Sequence, residues 1–156
     1  MRFEVSTTTG GVAAFTVPEI GTIQAVRKPV VILTSNRTRE LHDALKRRAL
    51  FHWIDHPSLE REGEIVRLRV PGVPERLALQ AAAFVQGLRR LDLEKPPGVA
   101  ETIDWAQALE ALGCEELEPV VVESTLGSVL KHHEDLLAVR DAALAELVEE
   151  ARTAAG

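Results

Sequence analysis

Hydrophobic residues in the first third of the chain form short runs of the kind found in β-strands. Residues 13–17 and 22–26 are two such runs, and the Pro-Glu-Ile-Gly sequence between them is typical of a turn, so a hairpin is predicted. Residues 30–33 (Val-Val-Ile-Leu) are apolar without interruption. A continuous apolar run indicates a strand covered on both faces, as in a parallel sheet flanked by helices.

A short helix and a further strand are predicted after this run. Thr38 has the residue type of a helix N-cap, and the helix is expected to end near Arg47, before a strand at residues 51–54. A buried parallel strand needs neighbours on both sides, and 51–54 is the one candidate that the sequence offers. The first 30 residues are too few for two βα units of about 30 residues each. The sheet is therefore predicted to be part of a larger one.

After Pro57 the hydrophobic pattern becomes helical almost throughout. Ser58 is expected to cap a helix that ends near Arg69, and Pro74 and Pro119 stand where helices begin. A further helix is expected after Gly98, and one long final helix from about Glu134 to Ala151. Apolar residues at helical spacing give the predicted core: Leu77, Ala81, Phe84, Val85 and Leu88, then Val99, Ile103, Ala106 and Leu109, then Val122, Leu126, Val129 and Leu130.

The predicted fold class is an α/β remnant, with short strands of a parallel sheet, followed by an all-α domain, and the chain is predominantly helical. The expected domains are residues 1–57 and 58–156. Trp53 and Trp105 are expected to anchor hydrophobic cores, one in each part, because indole rings bury large apolar areas.

Composition and charge narrow the classes of function. The 156 residues are 46% hydrophobic and 27% charged, as in soluble globular proteins, and the net charge of −6 does not favour nucleic acid or anionic lipid as partners. Residues 37–48 carry a local net charge of +3, but no aromatic residues lie between the cations to stack on bases. The apolar runs are far shorter than the ~20 residues that span a bilayer. With one cysteine and no leader-like start, a cytoplasmic protein without membrane contact is expected.

Residues 29–48, PVVILTSNRTRELHDALKRR, resemble a specific part of AAA+ ATPases. There a hydrophobic strand ends in a polar residue called sensor 1, and the following helix, Leu-x-x-Ala-Leu-x-x-Arg, ends in the arginine finger that reaches the ATP of the neighbouring subunit. Residues 51–62 resemble the next strand and the start of the helical lid. Among AAA+ ATPases, the sequence is most similar to the MoxR group. Residues 16–22 resemble the hairpin that precedes sensor 1 in that group. The resemblance covers about residues 16–150 and is most specific over 30–62.

The resemblance assigns roles to three residues. Asn36 takes the sensor 1 position, where its amide would orient a water beside the γ-phosphate; the alternative is an Asn that closes a turn on its own backbone. Arg48 takes the finger position, and Arg47 beside it is the second candidate. An arginine fork bridges two phosphate oxygens, although cations are also common at a solvated helix C-terminus.

Other family motifs are missing from the sequence. No Gly-x-x-x-x-Gly-Lys-Ser/Thr P-loop and no Walker B Asp-Glu are present. ATP and Mg²⁺ are therefore expected as cofactors of the intact parent ATPase, and the chain alone is expected to be inactive. The family usually has a sensor 2 arginine at the start of the third lid helix. This chain has Glu101 there, and Lys95 is the nearest cation in the sequence.

The resemblance also implies partners and a function. The partners are other AAA+ subunits in a ring, a hexamer in the parent, together with a von Willebrand factor A domain protein. The function is remodelling or metal-centre maturation driven by ATP hydrolysis; the alternative is a stand-alone, non-enzymatic helical adaptor. No metal site is expected in the chain, because His52 and His56 share a strand face from which Asp55 points away, and His132 and His133 diverge on a helix.

Overall fold

A computed structural model describes residues 4–7, 13–17, 21–24, 30, 32–34, 43–50 and 52–156. The chain divides into two compact units, Met1–His52 and Trp53–Gly156. The division falls just before Pro57, where the hydrophobic pattern of the sequence changes. Within the described ranges, no helix is both long enough and apolar enough to cross a membrane.

The first unit contains a three-stranded antiparallel sheet in the order β1-β2-β3. The strands are β1 (Glu4–Thr7), β2 (Ala13–Val17) and β3 (Gly21–Gln24). β2 and β3 pair with Phe15 opposite Ile23, which confirms the predicted hairpin. Gly21 opens β3 with φ +83, a left-handed conformation that side chains with a Cβ rarely adopt.

The predicted parallel sheet is not found in the described residues. Val30, Ile32 and Leu33 have no regular secondary structure and are 92%, 84% and 64% exposed, and residues 52–54 are likewise irregular. Residues 31 and 51, which belong to these two predicted strands, lie outside the description. A single apolar run cannot satisfy its backbone hydrogen bonds by itself, because a strand exists only where neighbouring strands supply donors and acceptors.

The helix predicted from Thr38 to Arg47 is found in its last part. Helix α1 covers Asp43–Lys46, and its final turn continues through a hydrogen bond from the Arg47 N–H to the Asp43 carbonyl, 3.0 Å from N to O. Thr38 and the residues up to 42 lie outside the described part of the chain, so the predicted cap is not tested.

The second unit consists almost entirely of helices, and their starts follow the predicted signals. The Ser58 side chain accepts a hydrogen bond from the Arg61 N–H at 3.3 Å, and Pro74 and Pro119 stand at the starts of two helices. Gly113 ends α4 with φ +72, and Cys114 N donates to Leu109 O in a Schellman motif. The helices are α2 (Leu59–Arg69), α3 (Glu75–Arg89), α4 (Val99–Ala111), α5 (Pro119–Thr125), a 3-10 helix (Leu126–Ser128), α6 (His133–Ala142) and α7 (Leu144–Ala154).

Helix α3 lies at the centre of this unit and packs against α2, α4 and α7. The predicted stripe of α3 is fully buried, and so are the predicted inward positions Ala106, Leu109 and Val122. Trp105 is also fully buried; its ring packs on Phe84 with centroids 5.1 Å apart, and its Nε1 donates to Thr125 Oγ1 at 2.8 Å. The prediction for Trp105 is therefore confirmed. The prediction for Trp53 is wrong, because this side chain is 56% exposed.

The single long helix predicted over residues 134–151 is wrong. The backbone breaks at Ala143, with φ −132 and ψ −12, and separates α6 from α7. No glycine or proline lies between His133 and Ala154, so the sequence contains no local stop signal. The cause is tertiary: α7 buries Leu147, Val148 and its neighbours against α3 and α5, whereas α6 packs on α7 itself. The chain must change direction to make both contacts.

Amide hydrogen exchange is expected to separate the two units sharply. The Phe84 and Val85 amides lie in the buried central helix and should exchange slowly, while those of Ile32 and Leu33 lie in exposed, irregular backbone and should exchange fast. Exchange followed by NMR at low protein concentration measures both sets in one sample. Equally strong protection of all four amides would contradict the expectation and would mean that the 30–33 run has strand partners.

Candidate functional site

Arg47 and Arg48 lie directly after helix α1 in a turn, and both are exposed. Within the described residues, neither guanidinium has a hydrogen bond or an ion pair to a side chain. Lys46, by contrast, pairs with Asp43 at 3.7 Å. The two arginines are thus presented to solvent at the C-terminal end of a helix, where they are available to a negatively charged group outside the described residues.

Asn36, the predicted sensor 1 residue, lies outside the described residues. Its position relative to Arg47 and Arg48 is therefore not described, and its predicted role stays a prediction.

The best-defined polar group of the helical unit is a buried ion pair between α2 and α3. Arg89 donates from Nη1 to Glu62 Oε2 at 2.8 Å and from Nη2 to Glu62 Oε1 at 2.7 Å. The side chains of Arg89 and Glu62 are 9% and 0% exposed. A bidentate arginine–carboxylate pair of this kind fixes both the distance and the orientation of the two groups.

Three further groups complete this network. Thr102 on α4 donates from Oγ1 to Glu62 Oε1 at 2.7 Å, and Gln86 donates to Glu62 Oε2 at 3.3 Å. Arg89 Nε donates to the Pro97 carbonyl at 2.7 Å, just before α4 begins. The network therefore connects α2, α3, α4 and the loop that precedes α4.

The network controls the ionisation of Glu62. Burial raises the pKa of the Glu62 carboxyl, but the hydrogen bonds from Arg89, Thr102 and Gln86 and the positive charge of Arg89 outweigh it. The net effect is a pKa below the ordinary value for glutamate. The carboxylate is therefore held in its charged form inside the helical unit.

The start of α4, where the resemblance would place a sensor 2 arginine, contains an acidic cap instead. The Glu101 carboxylate accepts the N–H of Gly98 at 2.9 Å. Lys95 lies in the preceding loop, where its N–H donates to Asp135 Oδ2 at 3.1 Å. The Arg89 guanidinium reaches this region from α3, and it donates to the Glu62 carboxylate and to the Pro97 carbonyl. Arg69, the last residue of α2, is exposed and lines a surface pocket with Ala100, Ile103 and Asp104 of α4, so a second guanidinium lies beside the start of this helix.

Sequence reasoning did not predict the Glu62–Arg89 pair, although a signal is present. Glu62 stands one turn before the buried Val66, and Arg89 stands one turn after the buried Val85. Each charge thus falls on the apolar face of its helix. Two opposite charges on facing apolar stripes indicate a buried pair, since isolated buried charges are very costly.

One group of side chains with metal-binding chemistry is found in the described residues: Glu94, His132 and Glu134. His52, Asp55 and His56 lie exposed in irregular backbone and do not belong to it. Cys114 is free and half-buried.

Comparison of the chain with protein-family models, with curated proteins and with solved structures finds no match in any of the three.

Proposed function

We propose that this chain is the C-terminal portion of a MoxR-type AAA+ ATPase, in which it supplies sensor 1, an arginine finger and a helical lid. The observation that carries the proposal is the segment Leu41–Arg48. It has the form Leu-x-x-Ala-Leu-x-x-Arg, contains helix α1, and ends in two exposed arginines without an acidic partner among the described residues.

The chemistry of an arginine finger explains why this exposure supports the proposal. A finger acts on the ATP of a neighbouring subunit, so its guanidinium must project from its own chain and must not be neutralised there. Arginine stays charged at any physiological pH, and its fork matches the equatorial oxygens of a phosphoryl group in the transition state. Within the described residues, Arg47 and Arg48 meet both conditions, in contrast to the buried and paired Arg89.

Exposed apolar side chains in the first unit support the same proposal. Val30, Ile32, Leu33 and Leu50 are largely exposed to solvent. Exposed apolar patches usually mark a contact surface. In the proposed parent, the remaining strands of the α/β core would cover them.

The second unit would act as the lid. The Glu62–Arg89 network holds α2, α3 and α4 together, so the lid would move as a stiff body. ATP and Mg²⁺ would be held by the P-loop and Walker B residues of the parent. The partners would be identical subunits in a ring and a von Willebrand factor A domain protein, and the output would be remodelling or metal-centre maturation.

The alternative is a non-enzymatic helical adaptor, and one observation favours it. The hydrophobic core found in the described residues is built from side chains of the second unit. An adaptor of this kind would work without nucleotide.

An ATPase assay tests the proposal. The chain alone is expected to release no phosphate from ATP above a no-protein blank, because phosphoryl transfer depends on the missing P-loop and Mg²⁺ ligands. Phosphate release that survives a second purification would contradict this. A second experiment sequences the gene region that precedes the Met1 codon. A P-loop encoded in frame there, together with ATP hydrolysis by the longer protein, would support the ATPase proposal. Lack of a P-loop there, with partner binding that is unaffected by ATP, would favour the adaptor.

A further inference from the structure

Three metal-ligating side chains converge where the loop after α3 meets the start of α6. One ligand atom from each of Glu94, His132 and Glu134 lies within 4.8 Å of the other two. His132 Nδ1 is 3.1 Å from Glu94 Oε2, a distance typical of two ligands of one tetrahedral metal ion. Because Glu94 is 38 residues away from His132, the group is produced by the tertiary fold and not by local sequence.

A buried aspartate fixes the position of Glu94 in this group. Asp135 is 4% exposed, and its two carboxylate oxygens accept the N–H groups of Glu94 at 2.9 Å and of Lys95 at 3.1 Å. The loop is thus tied to the first turn of α6, the segment that carries the other two ligands. These hydrogen bonds hold the backbone that carries Glu94 beside the start of α6 before a metal arrives.

We propose that Glu94, His132 and Glu134 form a binding site for a divalent transition metal of the Zn²⁺ type. The two carboxylates bring two negative charges, which offset the charge of the ion, and the imidazole favours Zn²⁺ over the harder ions Mg²⁺ and Ca²⁺. Three protein ligands leave one tetrahedral position for water. The ligand side chains are partly exposed, so they can close on the ion by rotamer changes.

The lysine that directly precedes His132 makes its hydrogen bonds elsewhere. Lys131 Nζ donates to the carbonyls of Gly127 and Ser128, at 3.3 and 2.7 Å, at the end of the 3-10 helix. It therefore neutralises backbone dipoles there. Without a metal, His132 and Glu94 form a hydrogen-bonded pair, and the ion would replace the shared proton.

Binding would fasten the connection between α3 and α4 to α6. The same loop contains Pro97, whose carbonyl accepts a hydrogen bond from Arg89. The metal would therefore hold the loop at Glu94, and the buried Glu62–Arg89 network would hold it at Pro97. The site does not depend on the proposed ATPase function.

Metal titration of the full chain after treatment with a chelator tests the site, and two histidines side by side provide a matched control. Wild-type protein is expected to bind one Zn²⁺ and to give the visible absorption of tetrahedral Co²⁺ when Co²⁺ is used. His132→Ala should weaken Zn²⁺ binding by about 100-fold or more, since loss of a mere supporting partner already costs about 10- to 100-fold. His133→Ala removes the exposed neighbour that lies outside the group and should leave the affinity unchanged.

The thermal midpoint gives a second measurement. Zn²⁺ should raise it in wild type and in His133→Ala but not in His132→Ala, because a ligand that binds the folded state stabilises it. If His132→Ala fails to fold by circular dichroism, Glu94→Gln takes its place, with the same expected loss. Equal affinity of wild type and His132→Ala, or an equal loss in His133→Ala, would overturn the proposal.

Discussion

Arg89→Ala is expected to lower the free energy of unfolding of the helical unit by about 3–5 kcal/mol, the usual effect of removing one partner of a buried ion pair. The substitution leaves the Glu62 carboxylate fully buried without its bidentate partner, and it also removes the hydrogen bond to the Pro97 carbonyl. This large loss of stability comes from leaving the buried Glu62 carboxylate unpaired. It does not measure the net contribution of the intact ion pair. Thermal or chemical denaturation followed by circular dichroism measures the change.

Arg90→Ala is the matched control for this experiment. Arg90 is the next residue along the chain and pairs with Glu150, but the two side chains are 62% and 51% exposed. Exposed pairs contribute about 0–1 kcal/mol. Both substitutions remove one positive charge from the C-terminal end of α3, so the effect on the helix dipole is similar. For a unit of this size, Arg89→Ala should reduce the thermal midpoint by more than about 12 °C, and Arg90→Ala by about 8 °C or less. Similar shifts for the two variants would show that the buried pair has no special role.

A change in pH gives an independent measurement of the same pair. Because the pKa of Glu62 is lower in the folded than in the unfolded state, its contribution to stability is present above the unfolded value of about 4.5 and is lost as the pH falls through the folded value. In Glu62→Gln this part of the acid dependence should be absent. An Arg89→Met, Glu62→Gln double variant should be less destabilised than the sum of the two single variants, since the two groups are coupled. Additive effects would contradict the coupling.

The sequence predicted those parts of the helical unit that depend on local signals. Ser58 and Pro119 begin helices because a side-chain cap and a missing N–H act within one turn. The α3 stripe is buried because its spacing matches the helical period. The break at Ala143 was missed for the opposite reason: it follows from where α7 packs, and no residue near it disfavours a helix.

Strand prediction for residues 30–33 shows the same limit. An apolar run indicates that burial is favourable, but a strand also needs hydrogen-bonding neighbours, and these are distant in sequence. Val30, Ile32 and Leu33 are exposed because no such neighbour lies against them within the described residues. Trp53 was misjudged in the same way, since residue type alone was taken to imply burial.

The candidate sites also differ in whether they depend on local sequence or on the tertiary fold. The roles of Arg47 and Arg48 come from the resemblance of residues 29–48 to a family segment, and the structure places both residues in an exposed turn after α1. The metal-ligating group was missed because His132 was compared with its sequence neighbour His133, whereas its partner Glu94 comes from another loop. A buried aspartate, Asp135, brings that loop to α6, and nothing in the local sequence around Glu94 indicates this contact.

In the ATPase that contains this segment together with a P-loop, Arg48→Ala is expected to reduce the rate of ATP hydrolysis by about 10³-fold, the lower end of the effect of arginine fingers. The finger acts on the nucleotide of the adjacent subunit, so the variant subunit should still bind ATP with unchanged affinity. Lys46→Ala is the control, because it removes a cation from the same run but one already paired with Asp43. Steady-state phosphate release and equilibrium binding of a fluorescent ATP analogue separate hydrolysis from binding. Loss of activity in Arg47→Ala with a normal rate in Arg48→Ala would move the role to the preceding residue. A normal rate in both variants would contradict the finger proposal, and the two exposed arginines would then act only as favourable charges at the end of helix α1.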